Sequence, residues 1–221
     1  MLILNVVVTK QKSSAEEFLP KRRTLESLRA AARFCEGCDL YKNATQTVFG
    51  EGTKNASVVL IGEQPGDMED RQGHPFVGPA GRMLDKALAE AHIQRDEVYI
   101  TNAVKHFRWI QRGKRRLHQK PAIRQLTACK PWLQSELEVL RPKVVVCLGA
   151  TAAQSMLGRV VPIGQQRGKF FDGNQGEAVF ITIHPSSIFR HREESEREEE
   201  YRHFVADMRR VQRKIRGMAA A

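Results

Sequence analysis

The stretch from Lys105 to Cys129 concentrates more potential chemistry than any other part of the chain. It carries Lys105-His106, then the cationic run Gly113-Lys114-Arg115-Arg116-Leu117-His118, then Cys129. Imidazole titrates close to neutral pH, so these histidines can serve as nucleophile, acid-base group or metal ligand. Cys35 and Cys38 form a C-x2-C pair, which in an intracellular protein points to metal binding or redox chemistry and not to a disulfide framework. Cys147 differs: it lies inside the unbroken apolar run Val144-Val-Val-Cys-Leu148, where a thiol reads as a small core side chain. Three further polar clusters stand out, at Gly62-Glu-Gln-Pro-Gly-Asp67, Gly73-His-Pro-Phe-Val-Gly-Pro-Ala-Gly81 and His184-Pro-Ser-Ser187. The glycines of the first let backbone amides approach a ligand, although a strand-to-helix turn with Gly and Pro is common for structural reasons alone.

Alternating strands and helices must position these groups. Apolar runs predict strands at 57–61, 98–104, 143–148 and 178–183. Helical spacing predicts helices at 24–34, 81–91, 121–140, 150–157 and about 196–215, the first delivering Cys35 and Cys38 in the turn after it. Strands that are apolar throughout, with helices between them, imply a parallel sheet covered on both faces. The expected architecture is a three-layer α/β/α sandwich with a central, mostly parallel four-stranded sheet. Ligands of such sheets bind beyond the carboxyl ends of the strands, and here those ends carry Glu63, Asn102, Gly149 and His184. The single domain is expected over 24–216, with 1–23 a tail or edge segment and 217–221 a C-terminal tail.

Composition bounds the partners. The chain has 221 residues, 41% of them hydrophobic, as in a soluble globular protein. Its 36 Lys+Arg against 25 Asp+Glu leave a net charge of +11 and a pI near 9.8. Such an excess suits a polyanion, most simply nucleic acid, whose phosphates release counterions when neutralised. Met1 to Val8 is apolar but far too short to span a membrane, and it lacks the charged start and cleavage site of a secretory signal. A cytoplasmic monomer with no membrane partner is expected.

In order and spacing, Gly-Glu-x-Pro-Gly at 62–66, Pro-Phe-Val-Gly at 75–78, Thr-Asn at 101–102 and His-Pro-Ser at 184–186 resemble the uracil-DNA glycosylase superfamily, in particular its iron–sulfur (family 4) type. The resemblance runs from about Cys35 to Arg210. It is strongest to the UdgX branch, through Gly-Glu-Gln-Pro-Gly-Asp, the Lys-His after the Asn-bearing strand, and the inserted Lys-Arg-Arg-x-His run from Lys114 to His118. That branch departs from the parent pattern in having His106 where the iron–sulfur glycosylases have a cysteine. The resemblance therefore implies a 4Fe–4S cluster on Cys35, Cys38, His106 and Cys129. A Cys3His zinc site is the alternative, and histidine ligation of an iron–sulfur centre is chemically sound.

The same resemblance implies the site. Uracil would be held by Gln64, Asp67, Phe76 and Asn102, with Phe76 stacked on the flipped base and Asn102 pairing with its polar edge. His184 would donate a hydrogen bond to the carbonyl that gains charge as uracil departs. Lys114, Arg115, Arg116, Ser186, Ser187 and Arg190 would contact uracil-containing DNA, preferably single-stranded. In the UdgX branch the histidine of the basic loop captures sugar C1′, which makes His118 the expected nucleophile. Glu63 would orient it, take up its proton or offset its charge. The product would be a stable adduct formed once per molecule. The alternatives are a conventional turnover glycosylase of the iron–sulfur type with His118 only a DNA contact, or a non-catalytic iron–sulfur DNA-binding protein.

Overall fold

Four largely apolar strand segments assemble, in the computed structural model, into the centre of an α/β/α sandwich; the structure describes residues 14–219. In chain order the elements are α1 (Leu25–Ala32), β1 (Glu51–Gly52), β2 (Val58–Gly62), α2 (Asp67–Gln72), α3 (Pro79–Glu90) and β3 (Val98–Asn102). Then come β4 (Trp109–Arg112), β5 (Arg115–His118), α4 (Ile123–Leu140), β6 (Val144–Leu148) and α5 (Ala150–Leu157). The chain continues through α6 (Ile163–Gln166), β7 (Phe170–Asp172), β8 (Ala178–Thr182) and α7 (Glu194–Ala219).

Every residue of β2, β3 and β6 is buried, as sheet strands covered on both faces require. Side chains alternate across the sheet with the strand period of two. Val59, Ile61, Val145, Cys147, Val179 and Ile181 face the layer of α1, α4 and α5. Val58, Leu60, Val144, Val146, Leu148 and Phe180 face the layer of α3 and α7. Helix α1 starts where it does because Thr24 and Ser27 cap each other, Ser27 N–H to Thr24 Oγ1 at 3.2 Å and Thr24 N–H to Ser27 Oγ at 2.9 Å.

Among the described residues the sheet has six strands, in the order β1-β3-β2-β6-β8-β7, not the expected four. The four parallel strands form its centre, and β1 and β7 are antiparallel edges. Those edges are two and three residues long, too short to carry a periodic signal. Parallel registry aligns the strand ends: Gly62 lies opposite Asn102, and Leu148 opposite Thr182.

The basic run expected as a loop is a β-hairpin. Strands β4 and β5 pair Trp109 with His118, Ile110 with Leu117 and Gln111 with Arg116. The turn is Gly113-Lys114, with Gly113 at φ 59°, the first-position glycine of a II′ hairpin turn. Part of the N-terminal segment expected as a tail or edge segment, 1–13, lies outside the described residues. From Ser14 on, the chain is docked: Ala15–Phe18 forms a 3-10 turn, and Ala15 is buried in the core. Helix α7 runs past the expected boundary at 216 to Ala219. No helix among the described residues is long and apolar enough to cross a membrane.

Cys147 is fully buried on β6, and burial pushes its thiol pKa up. Cys147→Ala removes one methylene-sized group from this core. It should lower stability by roughly 1 kcal/mol, measured by urea unfolding.

Candidate active site

The aligned carboxyl ends of the strands open into a cleft of about 990 Å³, lined by Glu63, Phe76, Asn102, His118, Thr151 and His184 among others. Asn102 ends β3. Its side-chain oxygen is buried and has no hydrogen-bond partner among the described residues. Such a group is costly unless a ligand completes it. Phe76 holds its ring close by in a left-handed backbone conformation, φ 56°, which strains a bulky residue and marks a position the surroundings over-determine. A Cβ on Gly62 would stand 2.3 Å from Asn102 Oδ1 and 2.6 Å from the Phe76 ring, so only glycine leaves the amide and the ring in place.

Phe76 is held from two sides. Helix α3 passes so close that a Cβ on Gly81 would fall 1.6 Å from the Phe76 carbonyl oxygen. The buried carboxylate of Glu69 accepts the Gly66 N–H at 3.1 Å and the Gly78 N–H at 2.8 Å. One side chain thus ties the turn after β2 to the turn after Phe76. The sequence reading missed Glu69. Its signal was a glutamate at the third position of a helix following Gly66-Asp67, the capping-box spacing.

His184 sits at the end of the fourth parallel strand, its ring centroid 6.0 Å from that of Phe76. Its Nδ1 accepts the backbone N–H of Ser186 at 3.2 Å, with Ser186 Oγ 2.8 Å away. A backbone N–H can only donate, so the neutral ring carries its proton on Nε2. Burial lowers the His184 pKa to about 4, with Glu63 pulling weakly the other way. The imidazole is therefore a neutral donor at pH 7. Ser187 gives its hydroxyl to the His184 carbonyl at 2.7 Å. Both serines expected on DNA thus also shape the His184 turn. Arg190 is exposed on the rim of the cleft.

The hairpin brings in His118, half exposed, with Nε2 3.3 Å from Glu63 Oε1. Thr151, in the first turn of α5, donates its hydroxyl to the other carboxylate oxygen. Burial alone would raise the Glu63 pKa, but hydrogen bonding from His118 and Thr151, together with the electrostatic attraction of the His118 and His184 rings, holds the group below the ordinary carboxylate value. The positive end of α5 favours the same ionised form. Thr151 also escaped the sequence reading, since nothing in Gly149-Ala-Thr151 distinguishes it from a helix start.

Arg116, expected on phosphate, is instead spent inside the protein. Its guanidinium pairs with Asp67 and, at 2.6 Å, with Asp70, and it reaches Thr45 Oγ1 at 3.1 Å. It also lies over the rings of Phe107 and Trp109. Asp67, expected at uracil, lines the cleft, but its carboxylate is engaged by Arg116 and by Arg71 at 3.0 Å. Gln64 lines the cleft too. Its side-chain amide donates to Arg108 O and Gln119 O at 3.1 and 3.0 Å and accepts the Arg108 N–H at 3.1 Å. These contacts clamp the hairpin at its base and flank. Lys114 and Arg115 stay exposed at its tip.

Of the expected metal ligands, Cys35, Cys38 and Cys129 belong to the α1 and α4 side of the sheet, whereas the charged neighbour of His106 is Asp70. Trp132 Nε1–H donates to Cys35 Sγ at 3.2 Å, and the Lys105 backbone N–H to Cys129 Sγ at 3.3 Å. Burial raises the Cys129 pKa, with Lys105 opposing and Cys38 and Cys35 adding to it. The three thiols therefore lie within electrostatic range of one another. His106 is buried beside Lys105, and burial lowers its pKa to about 4, leaving a neutral imidazole with a free lone pair. Among the described residues, no three His, Cys, Asp or Glu side chains are grouped so as to hold a single metal ion.

Two outcomes follow from this geometry. Arg116→Ala leaves the buried Asp70 carboxylate without its cation. It should cost roughly 3–5 kcal/mol and speed amide hydrogen exchange in β4 and β5 ahead of the central sheet. For His184 the folded pKa lies below the unfolded value of 6.5, so the unfolded chain takes up the proton first. Its contribution to stability is complete above pH 6.5 and is lost as pH falls towards 4. His184→Asn should therefore lose less stability than the parent across that interval, read as urea midpoints.

Comparison with known proteins agrees with the geometry. Residues 49–209 match the uracil DNA glycosylase superfamily, a span that includes Glu63, Phe76, Asn102, His118 and His184. The chain is 36% identical over 173 residues to a type-4 uracil-DNA glycosylase of Thermotoga maritima, covering 78% of this chain and 86% of that protein. It is 35% identical over 162 residues to a type-4 uracil-DNA glycosylase of Archaeoglobus fulgidus, covering 70% and 77%. A type-4 uracil-DNA glycosylase of Pyrobaculum aerophilum is 31% identical over 173 residues, covering 75% and 85%. With the family motifs meeting in one cleft at the carboxyl end of a parallel sheet, the chain belongs to the uracil-DNA glycosylase superfamily.

Proposed function

We propose that this protein excises uracil from DNA, preferably single-stranded, and that His118 then bonds to C1′ of the abasic sugar, leaving protein and DNA covalently joined. The observation that carries this reading is the hairpin-borne imidazole of His118, 3.3 Å from the Glu63 carboxylate and lining the same cleft as Asn102, Phe76 and His184.

A base must leave the stack to enter such a cleft. The unpaired Asn102 oxygen accepts the imide N–H of uracil, and the Phe76 ring stacks on the base. His184 Nε2–H donates to the uracil carbonyl. As the bond from C1′ to the base breaks, its electron pair goes to uracil, and the hydrogen bond from His184 strengthens with the charge that develops. The electron-poor C1′ then takes the lone pair of the His118 imidazole. The ring becomes cationic, and the ionised Glu63 beside it offsets that charge or takes up the ring proton. An imidazole bonded through nitrogen lacks the stabilisation that lets uracil leave as an anion, so the adduct persists. Lys114 and Arg115 at the hairpin tip and Arg190 on the rim are free to bind flanking phosphates.

Cys35, Cys38, His106 and Cys129 would hold a 4Fe–4S cluster. The donor set fits: two of the sulfurs accept N–H hydrogen bonds, as thiolate ligands do, and the imidazole is neutral. Bound there, the cluster supplies a rigid cross-link between the segment after α1, the turn after β3 and α4.

Mixing the protein with uracil-containing single-stranded DNA should give a band that resists heat and detergent on a denaturing gel, fainter with the same uracil in duplex. His118→Ala should abolish the band while allowing uracil release with turnover. A cross-link that survives in His118→Ala would remove this residue from the role. Free uracil and an abasic site without any band from the parent protein would make it a conventional turnover glycosylase. Anaerobically prepared protein should carry about four irons and four sulfides per chain, unchanged in Cys147→Ala. Zinc without sulfide would overturn the cluster.

A further inference from the structure

Behind the cleft lies an ion pair that the proposed chemistry does not use. Lys105 and Glu136 are both 0% exposed and in direct contact. The pair is also completely satisfied. Lys105 Nζ donates to Thr101 Oγ1 at 2.6 Å, to the Asn102 carbonyl at 2.9 Å and to Glu136. Glu136 accepts from Tyr99 OH at 2.8 Å, from Thr101 Oγ1 at 3.0 Å and from the Gly50 N–H at 3.2 Å. Two ions taken wholly out of water carry a desolvation penalty that their attraction rarely exceeds, and replacing such pairs with apolar groups is often neutral or stabilising. Stability alone is therefore a poor reason for this one.

We infer that Lys105 and Glu136 are positioning residues for uracil excision, acting by fixing the backbone at Asn102. The side-chain oxygen of Asn102 has no partner among the described residues, so the place of its amide is set by its backbone and by packing. The turn after Asn102 is held on one side by Ala103 N–H to the Gly62 carbonyl and Val104 N–H to the Glu63 carbonyl, at 2.9 and 3.0 Å. On the other side it is held by Lys105, whose ammonium grips the Asn102 carbonyl and Glu136, and whose own N–H meets Cys129. Cys129 and Glu136 are two turns apart on one face of α4, so Lys105 spans that face. It locks the recognition amide to the longest helix of its layer. Removing the pair leaves Asn102 in the cleft but lets the strand end drift, and a misplacement near 1 Å is worth about a hundredfold in rate.

The inference rests on the proposed pairing of Asn102 with uracil. Its test is a double-mutant cycle. Lys105→Met with Glu136→Gln removes both charges while keeping an acceptor for Tyr99 and Gly50. This variant should bind uracil-containing DNA as the parent does, yet release uracil about 10- to 100-fold more slowly in single-turnover assays at saturating DNA. In an Asn102→Ala background the same pair of changes should slow release by no more than about twofold, because the residue they act through is gone. An equal fold-loss in both backgrounds, or full rate in the folded double variant, overturns the inference. If the double variant does not fold, Thr101→Val deletes one hydroxyl of the same network at nearly constant volume and is read in the same cycle. Parent protein that releases no uracil, or Asn102→Ala that releases it at the parent rate, overturns the underlying assignment instead, and the inference with it.

Discussion

Lateral hydrogen bonding between four parallel strands is the constraint from which the site is hung. Because β2 and β3 pair from Val58–Val98 to Gly62–Asn102, and β6 and β8 from Val144–Ala178 to Leu148–Thr182, the residues that follow them emerge along one edge. Glu63, Asn102, Gly149 and His184 come from four separate strands and converge without any one of them choosing its neighbours. The edge continues past the formal strand ends, where the amides of Ala103 and Val104 bond to the carbonyls of Gly62 and Glu63. A one-residue slip of any of these strands would turn its buried set to the other face, so the core that stabilises the sheet also enforces the geometry of the cleft.

On that frame the hairpin is an addition with its own fastening. A two-stranded ribbon is marginal alone in water, and this one presents only Ile110, Leu117 and Trp109 as apolar material. What fixes it is polar: Arg116 between Asp67 and Asp70, and the Gln64 amide at its base. The ion pairs are secured on α2, which directly follows the Gly62–Gly66 turn. The element that carries His118 is thus braced against the same segment that presents Glu63, and the two side chains meet because both depend on one support. A protein with a net charge of +11 uses one arginine of the hairpin as an internal strut and leaves Lys114 and Arg115 for solvent or phosphate.

Much of the fold was legible because burial on both faces leaves a plain record. Runs such as Val144–Leu148 cannot be anything but interior, and Cys147 within that run is a core side chain as its neighbours imply. The site motifs were legible too, since glycines at 62 and 81 answer to close approaches that no other residue permits. The edge strands β1 and β7 left no trace, being too short for periodicity. The hairpin was hidden for a different reason. Each face mixes apolar and polar side chains, Ile110 and Leu117 beside Arg112 and Arg115 on one and Trp109 beside Gln111, Arg116 and His118 on the other, so no apolar alternation marks it as strand.

Local chemistry is written in residue type and spacing, and the sequence by itself determined which groups could act: the imidazoles of His118 and His184, the carboxylate of Glu63, the amide of Asn102 and the thiols of Cys35, Cys38 and Cys129. It also determined the parallel α/β class, through hydrophobic runs that no other arrangement would bury. Only the tertiary structure decided how those groups are employed. Arg116 and Lys114 are both cations on one hairpin, yet one is sealed between two carboxylates and the other faces water. Likewise Glu69, Thr151 and the Lys105–Glu136 pair took their roles from partners distant in the chain, because the pairing of a charge depends on what folding brings within reach of it.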